Sequence, residues 1–212
     1  HGAGWRVAAP GGAVEAEHVV IATNGYTGAL WPGLAETLVP VYSTIVATEP
    51  LPAELAARVL PSGSVLFEVG LNTVYYRLDA QNRLLMGGRS VQRPLRGIDD
   101  ARHLIAYAVR LWPELGQMRW RHAWSGKVAI TEDKYIHLHE PAPGVHIWLG
   151  YNGRGIATAT AMGKALAARI AGDTAPIPIP VTGLTPFPFR RFARIGVTAR
   201  LIYGRVRDSL GV

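Results

Sequence analysis

The sequence predicts an α/β chain that also carries an α+β portion, an antiparallel sheet packed with helices, and three observations point there. Val145 to Gly172, VHIWLGYNGRGIATATAMGKALAARIAG, runs from an apolar strand through a glycine-bounded loop into a long helix. His18 to Gly25, HVVIATNG, is a second apolar run that closes on small residues, as a buried parallel strand does before a ligand-facing turn. Between these two stretches the chain breaks into short strand-like segments separated by turn residues, the pattern of strands paired as hairpins.

Each element has its own signal. Trp5-Arg6-Val7-Ala8 and Val14-Glu15-Ala16 read as a hairpin turning at Pro10-Gly11-Gly12. Leu38 to Glu49, LVPVYSTIVATE, alternates enough to be a long strand closed by Pro50 and Pro52, and Glu54 to Val59 suits a short helix. Val65 to Gly70, Thr73 to Leu78 and Arg83 to Gly88 give three strands, the last two joined by the turn Asp79-Ala80-Gln81-Asn82. Asp99 is expected to cap a helix running through Leu104, Tyr107, Ala108, Leu111 and Trp112 and stopped at Pro113. Arg121 to Thr131 returns as a strand. Val145, Ile147 and Leu149 alternate with His146 and Trp148 in a strand expected to be packed on both faces. In the helix that follows, Ile156, Ala159, Gly163, Leu166, Ala167 and Ile170 recur at helical spacing, and Gly172-Asp173 marks its stop. Pro176, Pro178, Pro180, Pro186 and Pro188 then impose an extended path without a strand ladder.

The bulk numbers narrow the function class. With 212 residues, 49% hydrophobic and 17% charged, the chain can build a core and is not disordered. No apolar run approaches the ~18 residues of a membrane span. The opening HGAGWRVAAPGG lacks the pattern of an export signal, so a cytoplasmic location is expected. There is no cysteine, which excludes disulfides, thiolate metal sites and a cysteine-tethered cofactor within the chain. The net charge of +7 gathers late, in Arg190, Arg191, Arg194, Arg200, Arg205 and Arg207. These alternate with Phe189, Phe192, Ile195, Leu201, Ile202 and Tyr203, as in a terminal helix packed on one side and solvated on the other; a membrane surface or a polyanion is the other reading. No nucleic-acid motif accompanies the charge, so no nucleic-acid partner is expected.

A strand that turns through Gly150, Gly153 and Gly155 into a helix aims unpaired amides and the positive end of the helix dipole at whatever lies beyond. Either an electron-rich ligand or simple packing fits that geometry alone. GYNGRGIATATAMGKALAARIAG resembles the C-terminal flavin-contacting loop and helix of the D-amino-acid-oxidase-like FAD oxidoreductases, the superfamily that includes glycine oxidase, sarcosine oxidase and γ-glutamylputrescine oxidase. HVVIATNG is similar to the family's ATG-type strand, and Tyr26-Thr27-Gly28 and Leu30-Trp31-Pro32 continue the pattern.

The resemblance implies a Rossmann-like FAD-binding domain, present in part, joined to a substrate domain built on the antiparallel sheet. The expected division is 1–37 and 131–175 in the FAD-binding part, 38–130 in the substrate part, and 176–212 as a Pro-rich extension with a basic helix. The family's GxGxxG fingerprint is not in the sequence, and Gly150-x-x-Gly153-x-Gly155 has different spacing. The chain is therefore expected to be the C-terminal part of a longer enzyme, with the unit that holds the ADP half of FAD lying upstream. By resemblance, Thr23, Asn24, Gly25, Gly150, Tyr151, Asn152, Gly153, Arg154, Gly155 and Ile156 face a non-covalently held FAD, the helix end meeting the ring where reduction places negative charge.

Trp124-Ser125-Gly126 and Thr131-Glu132-Asp133 resemble the family's W-x-G…T-x-D segment, and the departures are informative. Glycine-oxidase-type members carry an arginine where this chain has Val128; sarcosine-oxidase-type members carry a lysine where it has Ala157. Burying a carboxylate without either cation is costly, so the resemblance implies an amine substrate, such as an acylated polyamine, rather than an α-amino acid. Tyr42, Tyr75, Tyr76 and Trp124 are the candidate cavity residues, though rings of this kind more often simply pack, and Lys127 could reach an acidic group at the far end of a substrate or equally be a solvated lysine. Amine oxidation in this family is hydride transfer, which needs positioning and no nucleophile, so no catalytic side chain is assigned. His137-x-His139-Glu140 lacks a third ligand held by structure, so no metal is expected, and His137 is expected near the flavin through its link to Asp133. The rival expectation is a non-catalytic domain that keeps the fold and acts at most as an interaction module; homo-oligomerisation is left open.

Overall fold

The computed structural model describes residues 4–68, 73–174 and 176–210. The chain divides into two units, one of His1–Val41 with Val128–Arg191, the other of Tyr42–Lys127 with Phe192–Val212. Strands β4 (Val39–Thr48) and β8 (Trp120–Ile130) run through the boundaries, outward and back.

In the first unit, β1 (Trp5–Ala9) and β2 (Gly12–Ala16) form the expected hairpin around Pro10-Gly11. Strand β3 (Val19–Ile21) lies parallel to β10 (Val145–Leu149), pairing Val19 with Val145 and Ile21 with Ile147, while β9 (His137–Ala142) runs antiparallel along the other side of β10. The central strand β10 is buried at every residue, as its apolar run requires. Val145, Ile147 and Leu149 pack with Ile21, Leu34, Leu38 and Ala129. β3 is less buried than its sequence suggests, because it stands at the edge of this sheet; Val20 is 48% exposed.

Helix α3 (Gly155–Ile170) begins and ends where its sequence indicates, and Gly172, at φ +94°, closes it in the left-handed region with its amide on the Arg169 carbonyl at 3.0 Å. The stripe of Ile156, Ala159, Gly163, Leu166, Ala167 and Ile170 is not a buried face, however. Leu166 is the helix's buried residue among those described, and Ile156 is 93% exposed. The Pro-rich segment also differs from a path free of ladder bonds: Thr182 donates its amide to the Leu138 carbonyl at 2.8 Å, beside a parallel bridge between Val181 and Leu138.

The second unit is built on a sheet ordered β5 (Leu66–Glu68), β6 (Val74–Leu78), β7 (Leu84–Arg89), β4, β8. The first of the three expected strands is followed as far as Glu68; its end at Gly70 lies outside the described residues. The β6–β7 turn is held by Asp79, whose carboxylate accepts the Gln81 and Arg83 amides at 2.9 Å each, with Asn82 in the left-handed region. Helices α1 (Ala53–Val59) and α2 (Arg102–Leu111) cover one face, where Leu55, Val59, Leu104 and Ala108 bury Val46, Val74, Tyr76, Leu84 and Met86. Asp99 does not cap α2. A 3-10 turn over Ile98–Ala101 moves the helix start onward, Ala101 takes the cap position, and the Asp99 carboxylate instead accepts from Arg102 Nε at 2.9 Å on the surface. The basic C-terminal helix α4 (Arg190–Leu210) is present, but its apolar residues are not the packed side: of Phe192, Ile195, Leu201, Ile202 and Tyr203, Leu201 alone is buried.

Strand alternation divides the sheet sharply. Ser43, Ile45, Tyr75 and Gly87 stand on the face opposite the helices, where Ser43 is two residues from Ile45 and Tyr75 pairs directly with Gly87. A Cβ on Gly87 would overlap the ring of Tyr75, so the ring lies against bare backbone. Gly87→Ala is expected to displace that ring and cost about 1–3 kcal/mol, an overpacking penalty; urea unfolding showing no loss would contradict the packing. Asp100 supplies a second test. Hydrogen bonds from Arg93, at 2.6 and 2.7 Å, and from the Arg96 amide at 2.8 Å hold its carboxyl below the usual carboxylate range. A lowered folded value means the contribution is present above the ordinary aspartate pKa, near ~4, and is lost as pH falls through the folded value. Asp100→Asn should therefore flatten the dependence of stability on pH below that point, measured by denaturant midpoints across an acid series.

Candidate functional site

The parallel pair β3 and β10 ends in two loops at the same, carboxyl-terminal side, the side on which α/β sheets bind ligands. After β3, Thr23-Asn24-Gly25 turns into a short 3-10 helix (Asn24–Tyr26), and Asn24 takes a left-handed φ of +42°. Its side-chain oxygen accepts the Gly150 amide at 3.1 Å, tying the loop after β3 to the loop after β10. Gly25 is buried beneath this turn, and Thr23 Oγ1 lies 2.7 Å from Thr27 Oγ1.

Gly150 has a φ of +82°, and a Cβ there would overlap Thr131. Both facts require glycine. Asn152, also left-handed at φ +52°, clasps the end of β8: its Oδ1 accepts the Thr131 amide at 3.0 Å, and its Nδ2 donates to Thr131 Oγ1 at 3.0 Å and to the Tyr135 carbonyl at 3.3 Å. Its own amide donates to the Ala129 carbonyl at 3.1 Å. Thr131 is fully buried and donates its hydroxyl to the Tyr135 carbonyl at 2.8 Å. Tyr151 is half-buried, and burial pushes its phenol up, so it stays a neutral hydroxyl.

The clasp delivers α3 with an open N-terminus. Arg154 is the residue at the cap position, at φ −108° and ψ 24°, and no side chain caps the helix. The Arg154 guanidinium is drawn aside to the Lys134 carbonyl at 3.1 Å. Gly153 has no heavy atom within 4 Å of where a Cβ would stand, and Ile156 projects into solvent. The amides at the start of α3 therefore face outward and are available to an electron-rich group. An extended, planar anion-forming ring fits this donor set: backbone N–H groups, a bare glycine surface and an apolar Ile156.

Asp133 and His137 pair at 3.0 Å. Burial pushes the Asp133 carboxyl up, but the Tyr135 amide and the His137 ring together bring it below its ordinary value. His139 is buried, with Nδ1 2.8 Å from the Thr182 carbonyl, and burial lowers its pKa. Among the described residues no group of three His, Cys, Asp or Glu side chains could hold a metal ion.

The sequence-selected substrate residues all belong to the second unit but do not share one face. Tyr75 stands on the helix-free face, its hydroxyl 2.9 Å from Ser43 Oγ. Its neighbour Tyr76 points the opposite way, as strand alternation demands, into the core against Trp112 and donating to Glu68 at 2.7 Å. Glu68 also accepts from Tyr107, and burial followed by that carboxylate raises the pKa of both phenols. Trp124, on β8, is 46% exposed, and Lys127 Nζ lies 6.0 Å from the ring centre of Tyr42.

Two features escaped the sequence reading. Thr131 and Tyr135 form the socket for Asn152; the T-x-D pattern marked the first but gave no reason to pair it with a residue 21 positions later. At the other end of β10, His146 joins His18, Glu140 and, through Glu140, Arg169 in a chain of contacts of 3.1 Å each, which fastens the last turn of α3 to the sheet.

Known proteins carry the same architecture. The profile of the family described as FAD dependent oxidoreductase matches residues 1–169. A probable oxidoreductase OrdL of Rhizobium meliloti (strain 1021) is 33% identical over 153 residues, 72% of this chain and 35% of that protein. Gamma-glutamylputrescine oxidoreductase of Escherichia coli (strain K12) is 29% identical over 209 residues, 95% of this chain and 48% of that protein. This chain thus spans half or less of the length of these two relatives. Among solved structures, glycine oxidase from Geobacillus kaustophilus superposes with a TM-score of 0.65 at 24% identity, covering 83% of this chain and 47% of that one, a likeness of fold. With the profile covering most of its length, the chain belongs to the FAD dependent oxidoreductase family.

Proposed function

We propose that this chain is the flavin-capping and substrate-facing part of an FAD-dependent enzyme that oxidises a C–N bond of an amine. The observation that carries the reading is the uncapped start of α3, presented at the carboxyl ends of β3 and β10 by the Asn24 and Asn152 clasps. Thr23, Asn24, Gly25 and the run Gly150 to Ile156 are the residues that would hold the flavin ring, with backbone amides as donors. When bound, FAD supplies the acceptor for a hydride leaving the carbon next to the amine nitrogen.

The chain's own contribution is placement. The helix dipole stabilises negative charge near the first turn of α3, and that stabilisation is greatest when charge develops there rather than in the resting state. Tyr75, with Ser43 behind its hydroxyl, is the side chain that would steady and orient an amine, whereas Tyr42, next to Ser43 on β4, alternates to the other face with Lys127 near its ring. Val128 and Ala157 offer no cation to an α-carboxylate, which favours an amine whose acidic group, if present, is remote from the reacting carbon. An acylated polyamine such as γ-glutamylputrescine, the substrate named for the relative from Escherichia coli, meets that description. The absence of GxGxxG from this sequence favours a second reading, in which the chain keeps the fold and serves as an interaction module.

Equilibration with FAD of this chain joined to the upstream unit expected to hold the ADP half, followed by anaerobic addition of γ-glutamylputrescine, separates the two. Retained flavin absorbance that bleaches with the amine, and not with glycine, is the expected result. Flavin that washes away supports the interaction module; bleaching by glycine refutes the substrate class. Asn152→Ala should remove the clasp on Thr131, leave a buried amide unpaired at a cost of about 1–3 kcal/mol, and weaken flavin retention. Unchanged flavin retention at unchanged stability would remove this loop from the cofactor site.

A further inference from the structure

Helix α4 presents apolar surface outward. Phe192, Ile195, Ile202, Tyr203 and Val206 are 50%, 68%, 57%, 61% and 53% exposed, whereas Leu201 and Gly204 are buried. At ~100° per residue, the five exposed side chains fall within an arc of roughly 100° on the side of the helix away from Leu201. Exposed arginines border that arc, Arg191 on one side and Arg200 and Arg207 on the other. A helix packed on one face and otherwise solvated does not need an outward apolar ridge, and a ridge lined by cations on both sides is the design of a helix lying in a membrane interface.

We infer that α4 docks on an anionic lipid surface, sinking the ridge of Phe192, Ile195, Ile202 and Val206 to the acyl boundary while the arginines meet headgroup phosphates. Tyr203 suits the same depth, with an apolar ring and a polar tip. Charge complementarity favours this occupant over a second copy or a polyanion. A second copy docked ridge to ridge would set arginine borders against arginine borders, in a chain whose net charge is already +7. A polyanion such as DNA would satisfy the arginines but leave the aliphatic ridge in water. The helix lies on the surface rather than crossing it: no helix among the described residues is long and apolar enough to span a bilayer.

The chain's lack of cysteine makes the test direct. Ile202→Cys carries a polarity-sensitive fluorophore on the ridge, and Ala13→Cys carries it on the exposed β1–β2 hairpin as control. Mixing with phosphatidylcholine vesicles that contain phosphatidylglycerol should brighten and blue-shift the label at 202 and leave the label at 13 unchanged. Added salt should weaken binding, and each of Arg200→Gln and Arg207→Gln should weaken it roughly fivefold, the effect of one basic residue near an anionic surface. Four results would overturn the inference: no co-sedimentation with the anionic vesicles, equal binding to pure phosphatidylcholine, a lipid-free dimer in analytical ultracentrifugation with the 202 label already shielded, or binding to duplex DNA without binding to vesicles.

Discussion

Everything in the candidate site depends on two asparagine side chains that hold backbone in conformations it would otherwise avoid. Asn24 and Asn152 both sit in the left-handed region, as do Gly150 and Gly153 between and beyond them. For the asparagines that conformation costs free energy, which their side-chain hydrogen bonds offset. Asn24 holds the Gly150 amide, and Asn152 binds the amide and the hydroxyl of Thr131. The consequence is a turn tight enough to reverse the chain from β10 into α3 without any residue of the turn capping the helix. A serine or aspartate in the cap position would satisfy the first amides internally and close the site; Arg154 there leaves them open.

The second unit shows the same economy in a sheet. Its helix-covered face is filled by Val46, Leu84, Met86 and Tyr76, with the phenols of Tyr76 and Tyr107 bonded to Glu68 and the Thr48 hydroxyl accepting the Leu84 amide. The opposite face is made shallow by Gly87, whose bare Cα lets the Tyr75 ring lie flat beside it, with the hydroxyl fixed by Ser43. A ring held at both ends by packing and a hydrogen bond has its rotamer entropy already lost in folding.

Much of this was legible in the sequence, and the failures have physical causes. The strand, turn and helix from Val145 to Gly172 followed from an unbroken apolar run, three glycines and a terminal glycine stop, all local signals. The turn at Asp79–Asn82 was legible for the same reason. Asp99 misled because a capping residue is recognised by its type, whereas the interposed 3-10 turn depends on how Ala101 packs into the core. The apolar periodicity of α3 and α4 correctly predicted helices but not burial, since periodicity reports a face and not what covers it. Tyr75 and Tyr76 were both candidates for one cavity because either ring could steady a cation; alternation along a strand guarantees that neighbours cannot share it. The Asn152–Thr131 clasp was out of reach because no periodic signal connects two loops 21 residues apart.

The electrostatics of the first unit make a consistent case when its cations are followed one at a time. Arg154, nearest the start of α3, spends a guanidinium donor on the Lys134 carbonyl, and Lys134 in turn donates to the Thr131 carbonyl at 3.2 Å. Both charges are thus engaged in holding the clasp rather than aimed past the helix end. Positions 128 and 157 are Val128 and Ala157, and neither carries a charge. The start of α3 itself offers the partial charge of its backbone, about half a unit at most. Such a field favours negative charge that appears during reaction on a group already bound. A fixed dipole whose two nearby cations are engaged elsewhere favours a group that becomes negative during reaction.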